Sequence, residues 1–288
     1  MKCENTTVMN FEGAFRGLRN PLESWKKSDS IFGIMPTDDD FEDIEFVVDD
    51  WLEYDNALRI KTHQPLIEED SVEEEQLRNK FLDWLYKQGT VNYDPKNYSA
   101  EVAFLGPNDL NLAQRMIKAG SSDRKFLRQI LVSVDIKAPL YWWKEFDTYK
   151  VGTTANSTST MHKLASTPIT IDCFELEDFS EEGNDFLVYN KHPNSPDMFL
   201  SEYWQMLVND LEHLRFLYNQ TKDQRYWKAL IQFLPSAWLQ TRTVTLNYEI
   251  LRNIYIQRRN HRLVEWHDFC RWIQSLPYAK ELITYWID

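Results

Sequence analysis

Glycine is scarce here. The eight glycines of the 288-residue chain stand at 13, 17, 33, 89, 106, 120, 152 and 183, too scattered to write G-x-G-x-x-G or G-x-x-x-x-G-K-[ST]. A dinucleotide fingerprint and a P-loop are thus excluded as motifs. Cys3, Cys173 and Cys270 are odd in number and far apart, with no C-x-x-C pair, which fits a reducing compartment rather than a disulfide framework. The six histidines form neither H-x-x-x-H nor H-E-x-x-H, so no metal site is expected. No run approaches the roughly 18 apolar residues of a membrane span, and Met1-Lys2-Cys3-Glu4-Asn5-Thr6-Thr7 has no apolar leader core. A cytoplasmic setting and no membrane partner are expected. Basic residues are outnumbered, 32 against 45 acidic, for a net charge of −13, which disfavours a nucleic-acid partner held by phosphate neutralisation.

Aromatic residues, in contrast, are plentiful: 14% of the chain, including 11 tryptophans, within a hydrophobic content of 43%. That composition marks a folded, globular chain. Phe15 and Leu18 predict a short amphipathic helix ending near Asn20, because Pro21 disfavours helix in the residue before it. From Asp38 to Asp55, ten acidic residues and no basic one interleave with Phe41, Ile44, Phe46, Trp51 and Leu52, predicting a folded insertion with a solvated acidic face. A helix is expected over 66–88, and another over about 109–119 ending at Gly120. Then the period changes: Ile130, Val132, Val134 and Ile136 alternate as in a strand.

Pro139 opens a helix expected to run to Gly152, and the hydroxyl-rich TTANSTSTMH after it reads as a loop or a helix restart. Residues 164–196 read as connecting structure. Leu200, Trp204, Leu207, Leu211, Leu214 and Tyr218, spaced four and three apart, predict a helix with a packing seam that serves an intrachain core or a subunit contact. A last helical pattern runs from Thr245 to about Ser275 with a polar middle at 258–262. The whole is an α+β chain, an antiparallel sheet with long helices, organised as one domain with 31–105 as an insertion.

Few side chains announce chemistry by themselves. Arg258, Arg259 and Arg262, with Arg252 and Arg242 before them, form a positive island in an acidic chain that would draw anions, or else a solvated helix face or intersubunit ion pairs. Ser157 and Ser159 lack a G-x-S-x-G elbow and read as a hydrogen-bonding surface. Glu145 and Asp147, two apart on a helix, do not face each other and make a poor acid–base pair.

Two blocks carry a resemblance. Ile136-Lys137-Ala138-Pro139, the helix to Lys150 and the loop from Asn156 to His162 resemble the flavin-dependent thymidylate synthases, where a V-K-A-P-like turn leads to Arg-His-Arg and then S-x-N-E-x-S-x-R-Y. Thr148, Tyr149 and Lys150 fall on Arg-His-Arg. Asn156 and Ser159 match the loop, whereas Ser157, Met161 and His162 replace Glu, Arg and Tyr. In the second block, Leu234-Pro235 precedes Asn247, Asn253 and Arg258 at the intervals of N-x-R-x-x-x-N-x-x-x-L-R, with Glu249 in place of the first Arg and Ile231 where a phosphate-binding Arg is usual. The upstream G-H-x-[ST]-P-x-E-H-like turn is replaced by residues 120–129, where Arg124, Lys125 and Arg128 stand ready to restore positive charge.

The resemblance implies the fold of that family and FAD-dependent methylation of dUMP, or of a close pyrimidine deoxynucleotide, with methylenetetrahydrofolate as carbon donor and NADPH as reductant. It implies a homotetramer of the divergent type carried by phages and prophages, working in the cytoplasm of a bacterial host. By resemblance, Arg258 orients and polarises the pyrimidine, Glu145 and Ser159 join it in binding the nucleotide, and Thr148, Tyr149, Lys150, Asn156, Asn247 and Asn253 hold the flavin. The departures at 157, 161 and 231 leave two alternatives: an inactive nucleotide-binding or protein-interaction module, and an altered chemistry such as hydroxymethylation.

Overall fold

The computed structural model describes residues 1–36, 56, 59, 65–68, 71–76, 78, 90–94, 99–176, 185, 187–189 and 198–287. The acidic stretch 38–55 lies outside them, as does most of the helix expected over 66–88, of which 72–76 and 78 are described and helical. Ser71 Oγ accepts from the Glu74 amide at 3.1 Å and so caps that helix.

Helices are combined with antiparallel strand pairs, the α+β class expected. In chain order the strands are β1 (Lys2–Met9), β2 (Ile31–Pro36), β3 (Thr90–Asp94), β4 (Ser99–Phe104), β5 (Leu131–Pro139), β6 (Thr154–Ser157), β7 (Leu187–Tyr189), β8 (Met198–Phe199) and β9 (Leu239–Asn247). The helices are α1 (Phe11–Arg19), α2 (Pro107–Ala119), α3 (Leu140–Phe146), α4 (Leu200–Thr221), α5 (Gln224–Phe233), α6 (Tyr248–Arg258) and α7 (Val264–Ser275). One sheet has the order β1-β5-β9-β6, a second β2-β4-β3, and β7 pairs with β8. The chain divides into two compact units, one of 1–4 and 134–244, the other of 5–133 and 245–288.

In the first unit, β5 buries Val134, Ile136 and Ala138 and hands the chain to α3 through Pro139. Helix α3 buries Trp142, Trp143 and Phe146, with Trp142 stacked on Phe146 at 5.0 Å between centroids. It ends at Phe146, six residues before the expected Gly152. Thr148 Oγ1 donates to the Glu145 carbonyl at 2.8 Å while the Thr148 amide bonds the same oxygen at 3.1 Å, so side chain and backbone together close the last turn. The hydroxyl-rich run that follows forms β6 and a single helical turn, Thr160–Lys163. Strand β6 escaped the sequence reading because it is an edge strand exposed on both faces, which erases the period-two signal. The α4 seam packs within the chain: Val208 and Leu211 are buried with Leu164, Ile169, Phe174 and Leu230, and Trp204, Leu207, Leu214 and Ile231 close around them.

In the second unit, α1 ends at Arg19 and α2 at Ala119, followed by Gly120 at φ 122°. Asp29 accepts from the Asn108 and Asp109 amides at 2.7 and 3.0 Å, capping α2 from a distant loop. Asp109 is fully buried against Arg19 and takes hydroxyl bonds from Ser28 and Ser30. The helix expected from Thr245 begins at Tyr248 instead, since β9 continues through Asn247 with Val244 and Leu246 buried. The polar middle breaks that pattern into α6 and α7, where the Leu263 amide bonds His261 Nδ1 at 3.2 Å.

Candidate functional site

Six of the residues singled out by sequence lie in the first unit, on the segment that leaves α3 and returns through β6. Thr148 is exposed, its hydroxyl donating to the Glu145 carbonyl. The Tyr149 ring is buried, 6.3 Å from that of Phe146 between centroids. Lys150 is exposed, as is Asn156 on β6, while Glu145 and Ser159 are half-buried. The Ser159 carbonyl accepts from the Lys163 amide at 3.2 Å and opens the helical turn.

A polar network that the sequence did not reveal joins the two ends of this segment. Arg242 donates from one terminal nitrogen to Asp147 Oδ1 at 2.8 Å and from Nε to Gln240 Oε1 at 3.0 Å. Its guanidinium carbon lies 4.2 Å from the centroid of the Trp143 ring. Gln240 Nε2 donates to the Thr158 carbonyl at 2.9 Å, and the Thr158 amide to the Thr241 carbonyl at 2.9 Å. Asp147 and Arg242 are 95 residues apart, and no local period or motif links them. Arg242 is therefore engaged within its own unit and is not part of an anion-attracting island.

The other three residues belong to α6 in the second unit. Asn247 is its N-cap, buried, with Oδ1 accepting from the Ile250 amide at 3.1 Å. Asn253 is exposed and accepts from Gln257 Nε2 at 2.9 Å. Arg258 ends the helix half-buried, its guanidinium carbon 4.7 Å from the Trp266 ring centroid. At about 100° per residue, five residues turn Asn253 and Arg258 about 140° apart, so the helix does not present them on one face.

Arg252, counted in the island, is buried and donates from one terminal nitrogen to the Ile283 and Tyr285 carbonyls at 2.7 and 2.6 Å. Desolvation lowers its pKa, with Arg124 adding to the effect and Glu249 opposing it. Arg124 itself pairs with Glu249 at 2.8 Å, so its charge is spent on the glutamate that stands where the family has an arginine. Two of the arginines counted in the island, Arg252 and Arg242, are thus taken up by burial and by a local acid, and Arg124, expected to restore positive charge, is taken up by Glu249. Lys125 instead lines a cavity of about 580 Å³ with Leu18, Leu22, Met116 and Phe126.

The departures from the family pattern also have physical consequences. Ile231 packs in the apolar cluster around Leu211 and Leu230. Met161 is exposed, and its carbonyl accepts from Trp227 Nε1 at 3.2 Å. Burial pushes the Cys270 thiol up to about 11, which removes it as a nucleophile at neutral pH. Among the described residues no cluster of His, Cys, Asp and Glu could hold a metal ion, and no helix is long and apolar enough to cross a membrane.

No protein-family model and no curated protein matches the chain. Among solved structures it is similar to the flavin dependent thymidylate synthase ThyX from Helicobacter pylori complexed with FAD and dUMP, at 17% identity and a TM-score of 0.42, over 73% of this chain and 90% of that one. It is also similar to a structure of Thymidylate Synthase X from Helicobacter pylori with FAD and dUMP, at 18% identity and a TM-score of 0.43, over 73% and 89% of the two chains.

Proposed function

We propose that this chain is a flavin-dependent enzyme acting on a pyrimidine deoxynucleotide, methylating dUMP or a close variant with FAD and a folate one-carbon donor. The observation that carries the reading is that the two sequence blocks resembling the family fold alike. Each is a strand running directly into a helix, β5 into α3 and β9 into α6, and β5 and β9 are neighbours in one sheet. NADPH as reductant, a homotetrameric assembly, a cytoplasmic setting in a bacterial host and 31–105 as an insertion belong to the same reading.

The side chains fit a flavin in part. Lys150 and Asn156 are exposed donors suited to phosphate and ring carbonyl oxygens, and Asn253 exposes an amide. The Thr148 hydroxyl is engaged, Asn247 is buried with only Nδ2 left to donate, and Tyr149 is too buried to offer a ring face. Of the residues proposed for the flavin, Lys150 and Asn156 in the first unit and, in the second, Asn253 and the Nδ2 of Asn247 keep donors for FAD, which supplies hydride when bound and reduced. In the nucleotide step, Arg258 would act on the pyrimidine. Its charge persists at every working pH, and a cation aimed at a ring carbonyl stabilises the negative charge that develops there.

The test is an absorption spectrum from 300 to 550 nm after incubation with FAD and gel filtration, followed by titration with dUMP. Retained flavin bands that shift with dUMP are expected, as is an Arg258→Ala variant that keeps the flavin and loses the shift. A chain that retains no flavin overturns the reading. It would favour the inactive nucleotide-binding or interaction module, for which the packing of half-buried Ile231 against apolar side chains speaks, because no cation stands at that position to meet a phosphate. Growth of a thymidine-requiring strain carrying the gene separates methylation from both that module and an altered nucleotide chemistry.

A further inference from the structure

Strand β6 buries none of its four side chains, so apolar contact does nothing to hold Asn156 in place. What fixes this stretch is its pairing with β9 and, just beyond its end, the bonds at Thr158. The carbonyl there is held by Gln240 Nε2 at 2.9 Å and the amide by the Thr241 carbonyl. Gln240 is 7% exposed, and its amide is used at both ends: Oε1 accepts from Arg242 Nε while Nε2 donates to Thr158. That double use sets which way the amide faces. Arg242 is anchored in turn by the ring of Trp143, itself 1% exposed, and by Asp147 at the end of α3. The Trp143 indole completes the circuit, donating to the Gln240 carbonyl at 3.0 Å.

From this geometry we infer that Arg242 is a positioning residue, whose guanidinium locks the end of α3 (Glu145 to Lys150) to the returning stretch Asn156 to Ser159 through Gln240. This inference rests on the reading of those two stretches as flavin-holding. The Asp147 side chain is 46% exposed, so solvent screens the ion pair. The larger share of the restraint therefore lies in the half-buried Nε bond to Gln240 and the contact with the buried Trp143 ring, where the local dielectric is lower than at Asp147. A lysine at 242 would keep a charge for Asp147 but not the planar fork that reaches Gln240 at the same time.

The experiment compares the parent with Arg242→Met, Arg242→Lys and Gln240→Ala in two measurements. The first is amide hydrogen exchange read by mass spectrometry on peptides covering 154–159. Exchange there is expected to quicken about tenfold in Arg242→Met and Gln240→Ala and to stay fast in Arg242→Lys, while peptides of α4 and α5 keep the parental rate. The second is FAD titration followed by flavin fluorescence, expected to weaken about tenfold in Arg242→Met and Gln240→Ala, with the dUMP-induced shift of the flavin band diminished. Parental exchange at 154–159 in both variants overturns the inference, and so does full rescue by Arg242→Lys. A parent that binds no flavin overturns the proposed function alone, and exchange then decides the positioning. If Arg242→Met quickens exchange throughout the chain, Gln240→Ala, which leaves the Arg242–Asp147 pair in place, decides between the two outcomes.

Discussion

Asn247 shows how one side chain divides its two ends. Its Oδ1 caps α6 by accepting from the Ile250 amide, and its Nδ2 is the group that remains for a ligand. Asn247→Asp keeps the acceptor and removes the donor, whereas Asn247→Ala removes both. Loss of an N-cap costs about 1 kcal/mol of stability. Urea unfolding should therefore show Asn247→Ala about 1 kcal/mol less stable than the parent and Asn247→Asp within a few tenths of it. If Nδ2 serves the flavin, both variants lose FAD affinity to a similar degree. Parental FAD affinity in Asn247→Asp would remove Nδ2 from the flavin set and leave Asn247 a purely structural cap. The cap was not legible, because the helical pattern was read from Thr245 and placed Asn247 inside the helix rather than at its start.

Helix α4 was the most legible element. Its seam has the period of a helix, and the partner that buries Leu211 is α5, joined to it by Lys222 and Asp223. Strand β6 and the early end of α3 were not legible, for the opposite reason: all four residues of β6 are exposed and the last turn of α3 is closed by the Thr148 hydroxyl, so neither leaves a mark in the hydrophobic period. The Arg242–Asp147 link is of the same kind. Helix α4 also carries a testable charge. Glu212 accepts from Arg215 Nε at 2.7 Å and from the Ile169 amide at 2.8 Å, so one carboxylate ties α4 to the loop before Phe174. The Arg215 side chain first, then the Ile169 amide, hold the Glu212 carboxyl below the usual range against the opposing effect of burial. A lowered carboxylate contributes stability that is present above its unfolded value, near pH 4.3, and is lost as pH falls through the folded one. Between about pH 5 and pH 3 the parent should lose stability more steeply than Glu212→Gln, by a modest margin because the group is partly solvated. Equal slopes in urea titrations across that range would show that the link is not a net restraint.

At the scale of the whole chain, charge sets how an anionic ligand arrives. A net charge of −13 would repel both dUMP and the diphosphate of FAD, and among the described residues Arg124 is paired with Glu249, Arg242 with Asp147 and Arg215 with Glu212. Lys150 stays exposed, and its one unit charge outweighs the field of the whole molecule only at close range. The Debye length shrinks from about 30 Å at 0.01 M salt to about 8 Å at 0.15 M, so added salt removes the long-range repulsion before it reaches contacts of 3 to 4 Å. The association rate of dUMP, measured by stopped-flow flavin absorbance, should therefore rise about two- to fivefold over that range, the reverse of electrostatic steering. A rate that falls with salt would mean that the local field at the entrance is positive despite the total, and would direct attention to exposed cations such as Lys150 and Lys125 as the guides of the ligand.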